Sequence, residues 1–161
     1  MKERAPIKRH PALVSFSKEH HFGLLLTWKI RQGTSFGVET ERMSKYVVHF
    51  FNVDLRQHFA DEETFLFSRL AADDSLRLQA EAEHRQIYNL VSEIAANPTD
   101  EALLKTFSEL LEKHIRFEER TLFNHLQHHI PAAELEEIEK RTAGGVDPDI
   151  NWTDVFWIKK K

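Results

Sequence analysis

The sequence predicts an all-α protein, an up-down-up-down four-helix bundle with a short C-terminal helix and a tail. Only five Gly and five Pro occur in 161 residues, so few residues break a helix. The turn signals that do occur lie at residues 32–37, 73–75 and 97–99, and they separate four long segments of helical pattern. Two of these segments contain similar ten-residue stretches, which begin at His58 and His114.

The helices start and end at recognisable local signals. Pro11 lies where a first helix begins, Asp74 lies in a turn that caps the third, and Pro98 ends the third. Thr99 and Asp100 open the fourth helix. The expected ranges are residues 11–31, 38–70, 75–96 and about 99–128 for the long helices, and 132–141 for the short one. Short connections make neighbouring helices antiparallel, which produces the bundle.

Length and composition restrict the class of protein. The length suggests one domain over residues 1–161, with the bundle core at about 12–130 and a C-terminal extension at 131–161. The absence of cysteine excludes disulfides and thiolate ligands. A formal net charge of -4 argues against nucleic-acid binding, and no apolar run is long enough for a membrane span. No secretory signal is visible, so we expect a cytoplasmic protein.

The tail is rich in large apolar side chains, namely Trp152, Val155, Phe156, Trp157 and Ile158. An exposed aromatic cluster of this size is unusual on a monomer. We therefore expect the tail either to pack back on the bundle or to form a subunit contact in a homo-oligomer.

The two similar stretches each present one imidazole and one carboxylate on one face of a helix. Both read His, apolar, two variable residues, Glu-Glu, two variable residues, Leu-Phe; His58 precedes Glu62, and His114 precedes Glu118. Positions i and i+4 lie one above the other on an α-helix. The bare His-x-x-x-Glu spacing is a weak signal, whereas agreement over ten residues is a stronger one. The repeat therefore indicates a metal site, against the alternative of two amphipathic helices with solvated His and Glu.

A fainter repeat on the first and third helices supplies two more histidines. Each of these helices carries a Glu-His dipeptide, which ends at His20 in the first and at His84 in the third. His20 precedes His58 by 38 residues and His84 precedes His114 by 30, and the intervening loops lie near the midpoints of these pairs. Antiparallel helices with such loops place all four histidines in one layer across the bundle.

This order of ligands resembles the hemerythrin-like (HHE cation-binding) domain over about residues 12–130. The resemblance implies a non-haem di-iron centre with two Fe ions, bridged by carboxylates and by oxo or hydroxo groups. Carried over by position, the terminal ligands are His20, His58, His84 and His114, and the bridging ligands are Glu62 and Glu118. A ferritin-like site needs Glu-x-x-His on two helices, and only Glu81-x-x-His84 fits that pattern.

Three neighbouring positions leave alternatives open. His21 follows His20, and only one of them points inward because adjacent residues lie about 100° apart; we favour His20 by analogy with His84. Oxygen-carrying hemerythrins supply a further His one turn later on the third helix, where this chain has Tyr88. Tyr88 either packs beside the iron or reaches the metal or its ligand. His125 either lines the site beyond the ligands or is an ordinary residue near the helix end.

Two more acidic residues stand next to the proposed bridges. Glu63 and Glu119 follow Glu62 and Glu118 directly, and each should point toward the flank of its helix. We expect them to be salt-bridge partners rather than ligands.

Three functions remain compatible with the sequence. The first is a di-iron protein that binds O2 or NO as a carrier or sensor. The second is a di-iron redox enzyme or an iron-donating stress or repair protein, which the tyrosine in place of a fifth His favours. The iron–sulfur repair members of the family resemble this chain in having four His and two Glu, but they carry an extra Cys-containing domain, and this chain has no Cys. The third is a metal-free helical interaction module.

Overall fold

The computed structural model describes residues 8–142 and 147–159, and within those residues it contains helices and no strands. The all-α prediction is thus confirmed for this part of the chain. The α-helices are α1 (Pro11–Ser35), α2 (Thr40–Phe50), α3 (Arg56–Asp61), α4 (Ser75–Ala96), α5 (Glu101–Phe117), α6 (Phe123–His129) and α7 (Ala132–Arg141). None of these helices is both long and apolar enough to cross a membrane.

Two of the predicted long helices are continuous runs that contain wider turns. A π-helical turn, Phe51–Leu55, joins α2 to α3, and a second, Glu62–Leu66, follows α3 and leads into a 3₁₀ turn. A third, Glu118–Leu122, joins α5 to α6. The residues at these junctions keep right-handed helical dihedrals, so each run continues through them. Single π-helical turns within α-helices are rare and frequently mark functional sites.

The predicted ends of the helices are largely correct, because local capping determines them. The Asp74 side chain accepts hydrogen bonds from the amides of Leu76 and Arg77, and α4 has the predicted bounds. The Asp100 side chain caps α5 in the same way. Such caps satisfy the free amides of a first helical turn.

The first helix is four residues longer than predicted, because Gly33 does not break it. A Cβ on Gly33 would lie 2.7 Å from Met43 Sδ and 2.9 Å from the Phe156 ring. The glycine therefore allows close packing inside a helix rather than a turn. The turn comes at Gly37, whose φ of 70° suits glycine.

Two apolar clusters fill the bundle, one at each end. The first is built around residues such as Leu26, Tyr46 and Phe107, and the second around residues such as Leu13, Phe67 and Leu126. In each of the four long helical runs, the buried His and Glu predicted as ligands lie near the boundary between the two clusters. The polar layer is therefore enclosed by apolar packing on both sides.

The C-terminal segment packs back on α1 and α2, which is the first of the two arrangements expected from the sequence. Phe156 is buried, and Trp157 lies over the Lys29 ammonium, with 4.0 Å between Nζ and the ring centre. Lys29 donates a hydrogen bond to the Tyr46 hydroxyl at 2.9 Å and pairs with Asp149. A subunit contact through this segment stays a prediction.

Replacing Asp149 by Asn should destabilise the protein, because Lys29 is only 3% exposed and would lose its counter-ion. We expect a loss of about 2 kcal/mol in the free energy of unfolding, since Asp149 itself is partly solvated. Urea denaturation measures it. The control is Glu112→Gln, which removes surface pairs with Arg31 and Arg116 and should cost below about 1 kcal/mol. Equal losses in the two variants would contradict the prediction.

Candidate metal centre

Six buried side chains meet in the layer between the two apolar clusters. They are His20 on α1, His58 on α3, Glu62 and Glu118 at the starts of π-helical turns, His84 on α4 and His114 on α5. They form two groups whose ligand atoms lie within 4.8 Å of one another. One group contains His20 and His58, the other contains His84 and His114, and both contain Glu62 and Glu118.

Each shared carboxylate lies between one histidine of each group. Glu62 Oε1 is 3.2 Å from His58 Nε2 and 3.4 Å from His84 Nε2. Glu118 Oε1 is 3.0 Å from His20 Nε2 and 3.2 Å from His114 Nε2. Two ligands at right angles around an ion, each at about 2.1 Å, are separated by about 3 Å. The distances between these side chains therefore suit two cations that share two carboxylates.

Several of the buried polar atoms have no hydrogen-bond partner, which also fits a cation site. Within the described residues, the unpartnered atoms include His58 Nε2, both oxygens of Glu62 and one oxygen of Glu118. Buried polar atoms in folded proteins are nearly always satisfied. The Nε2 atoms of His84 and His114 also face each other at 3.1 Å, where two lone pairs repel unless a proton or a cation lies between them.

The electrostatics of the layer favour positive charge. Burial alone would lower the pKa of His114, but the charge and hydrogen bond of Glu118 and the hydrogen bond of Glu83 raise it to about 10. Burial would likewise raise the pKa of Glu118, yet the charge of His114 and the hydrogen bonds of the surrounding side chains together outweigh it, and the pKa falls well below its ordinary value. Protons thus compensate the carboxylates, and a bound metal would displace them.

Carboxylates also lie near the second ring nitrogens, the Nδ1 atoms, of the four histidines. We call these nitrogens the outer nitrogens and the four glutamates beside them the outer carboxylates. The His20 Nδ1 and Glu119 Oε1 atoms are 2.7 Å apart, and so are His114 Nδ1 and Glu83 Oε1. His58 Nδ1 pairs with Glu19. A fourth carboxylate, Glu63, lies 3.7 Å from His84 Nδ1. A carboxylate at Nδ1 selects the tautomer that leaves Nε2 free to bind a metal, and it fixes the ring.

Sequence reasoning missed the role of these outer carboxylates, although the signal was present. Glu19 and Glu83 belong to the repeated Glu-His dipeptides, and Glu63 and Glu119 belong to the repeated Glu-Glu dipeptides. Glu19, Glu83 and Glu119 therefore each pair with a histidine on another helix rather than with a neighbour in sequence, and Glu63 lies near one. Glu119 additionally forms the expected salt bridge, to Arg9.

The structure separates the alternative residues from the six-residue layer. His21 is exposed, because the turn of the helix that buries His20 directs its neighbour outward. His125 does not line the site; its Nε2 lies 2.7 Å from Asp74 Oδ2, at the cap of α4. Tyr88 is half-buried and packs edge-on against Phe51 and Phe59.

Phenylalanine rings cover the imidazoles. Phe59 stacks on His84 with 3.8 Å between ring centres, and Phe123 stacks on His20 at 5.2 Å. Phe16 lies against His58 at 5.9 Å. These rings keep the polar layer away from water and restrict how each imidazole can turn.

The fold and the site together agree with a known class of metal-binding domain. The hemerythrin HHE cation-binding domain matches residues 31–126, and the chain belongs to this family. The matched range contains five of the six clustered residues, and His20 lies before it. Comparison with curated proteins and with solved structures gave no match.

Alanine at His58, Glu62, His114 or Glu118 should sharply lower the amount of bound iron, because each change removes one of the six clustered side chains. Metal analysis after anaerobic loading with ferrous iron gives the ratio of iron to protein. His125→Ala is the matched control, since that imidazole pairs with Asp74. An unchanged ratio in any of the four variants would refute the role of that residue.

His20→Ala should reduce bound iron much more than His21→Ala, because only the first imidazole enters the layer. The same metal analysis decides between them, and thermal unfolding checks that both variants are folded. The opposite order would move the ligand by one residue.

Proposed function

We propose that this protein is a non-haem di-iron protein that binds a small diatomic ligand, O2 or NO, as a carrier or sensor. The proposal includes the up-down-up-down order of the four helical runs, which is supported by the packing of α1 on α5 and of α4 on α5 and α2. It rests above all on one observation, the position of Glu62 and Glu118 between the two pairs of histidines.

Shared carboxylates favour two ions over one. Two cations a few Å apart repel strongly unless anions lie between them. Glu62 and Glu118 are fully buried between His58 and His84 and between His20 and His114, respectively. Each ion would thus receive two imidazole nitrogens and an oxygen from each carboxylate.

The donor set favours iron and leaves room for a further ligand. Imidazole and carboxylate without thiolate suit iron, and helix bundles build dinuclear carboxylate sites from such residues. Ferrous iron held by the four histidines and two glutamates would supply electrons and coordination positions for O2 or NO.

The surroundings favour a small ligand. His84, His114, Glu62 and Glu118 are inaccessible to solvent, and phenylalanines cover the imidazoles. Large substrates have no direct access to such a layer, whereas a diatomic molecule can diffuse through apolar packing. The outer carboxylates hold the imidazoles in place, so that exchange of a small ligand need not disturb the protein ligands.

A second candidate, a di-iron redox enzyme or an iron-donating stress protein, draws support from Tyr88. The residue four positions after His84 packs on Phe51 and Phe59, and it leaves the layer with four histidines rather than five. Fewer protein ligands make iron more reactive and more exchangeable. We disfavour a metal-free interaction module, because the buried oxygens of Glu62 would lack partners within the described chain.

Anaerobic iron loading, metal quantitation and an optical spectrum before and after addition of O2 or NO test this function. We expect about two iron ions per chain and a visible band that disappears when the gas is removed. Irreversible oxidation instead would favour the redox or repair function.

The control is Glu62→Ala, which should remove both the iron and the band. If the wild-type protein binds no iron, the proposal is wrong.

A further inference from the structure

The four outer carboxylates do not hold the four imidazoles equally. His20 and His84 occupy corresponding positions in the two repeats, and so do Glu119 and Glu63. The His20 Nδ1 to Glu119 Oε1 distance is 2.7 Å, whereas the His84 Nδ1 to Glu63 Oε1 distance is 3.7 Å. Within the described residues, His84 Nδ1 has no hydrogen-bond partner. Of these two corresponding imidazoles, His20 is thus held at Nδ1 and His84 is not.

Glu119 is itself held from two sides. The Arg9 guanidinium pairs with its carboxylate and donates a second hydrogen bond to its main-chain oxygen at 2.8 Å. The Ser17 hydroxyl accepts from Arg9 at 3.0 Å and lies 3.2 Å from Glu119 Oε2, to which it can donate. Glu119 therefore has little freedom to turn away from His20.

Arg9 belongs to a short segment, residues 8–10, which we call the N-terminal strap. The Gln127 side chain fastens this strap to α6: it accepts from the His10 amide at 2.9 Å and donates to the Lys8 carbonyl at 2.8 Å. The Arg9 guanidinium also lies 5.3 Å from the centre of the Phe123 ring, which stacks on His20.

The corresponding carboxylate on the other side has no such support. Within the described residues, no lysine or arginine nitrogen lies within 4.0 Å of Glu63. The Glu63 side chain is 36% exposed, so water competes for its oxygens. His58 and His114 do not explain a difference between the two sides, because Glu19 and Glu83 hold their outer nitrogens directly.

We propose that the two metal positions differ in retention: the ion at His20 and His58 is held, and the ion at His84 and His114 exchanges. The N-terminal strap sets this difference through Glu119, and the inference rests on the two-metal site of the proposed function. A hydrogen-bonded carboxylate behind a histidine ligand changes metal affinity by about 10-fold to 100-fold. Arg9 acts as a positioning residue, since it contacts Glu119 and not the ligand nitrogen.

Release of iron to a chelator tests the proposal. The full chain is loaded anaerobically with two ferrous ions and mixed with an excess of a coloured ferrous chelator. We expect two phases of equal size, with rates that differ by about 10-fold or more. His20→Ala should lose the slow phase and His84→Ala the fast phase, which assigns each phase to a position.

Substitutions in the strap test its role. Arg9→Ala should speed the slow phase by about 10-fold and leave the fast phase unchanged. Arg9→Lys should restore the slow phase in part, since an ammonium reaches the Glu119 carboxylate without the fork that also reaches its carbonyl. Glu112→Gln, which removes a carboxylate that pairs with Arg31 and Arg116 away from the layer, is the control and should alter neither phase. Thermal unfolding checks the fold of each variant, and Ser17→Ala repeats the test if Arg9→Ala does not fold.

The outcomes separate this inference from the proposed function. If fewer than two ions bind, the two-metal site itself is wrong. If two ions bind and leave in a single phase, or if Arg9→Ala leaves the slow phase unchanged, the two-metal site stands and the difference in retention is wrong.

Discussion

The burial of two carboxylates among four imidazoles is the constraint on which the rest of this structure depends. Removing an ionised carboxylate from water costs several kcal/mol even after the protein relaxes, and Glu62 and Glu118 are both fully buried. The apolar clusters above and below the layer provide no compensating charge. Positive charge must therefore come from within the layer, as protons on the histidines or as bound cations. A family of cation-binding domains meets this requirement with metal, and the chain belongs to it.

Much of the surrounding structure makes the layer rigid. The outer carboxylates restrain the imidazoles from behind, and the phenylalanine rings restrain them from the sides. Two of the three π-helical turns in the described residues begin at Glu62 and Glu118, the two residues that both groups share. Rigid ligands reduce the reorganisation that metal binding would otherwise require, and this is the usual function of the residues around a metal site.

The two halves of the site are similar in sequence, but their histidines and outer carboxylates are held by different contacts. Each half contributes a Glu-His dipeptide and a His-x-x-x-Glu-Glu motif. Arg9 pairs with Glu119 from a segment that the repeat does not include, whereas no lysine or arginine of the described residues lies within 4.0 Å of the corresponding Glu63. Repetition along the chain therefore does not imply equal chemistry at the two positions.

The features that could be predicted from the sequence are those that interactions between neighbouring residues control. Asp74 and Asp100 cap helices through their own neighbouring amides, and His58 and Glu62 share a helix face because they are four residues apart. These features allowed the all-α class, most helix bounds and the six clustered residues to be predicted. Three features depend on tertiary structure. They are the histidine that each outer carboxylate contacts, the packing of Gly33 inside a helix, and the pairing of His125 with Asp74. Those contacts join distant parts of the chain, and their geometry depends on how the helices rotate and pack, which no local pattern specifies.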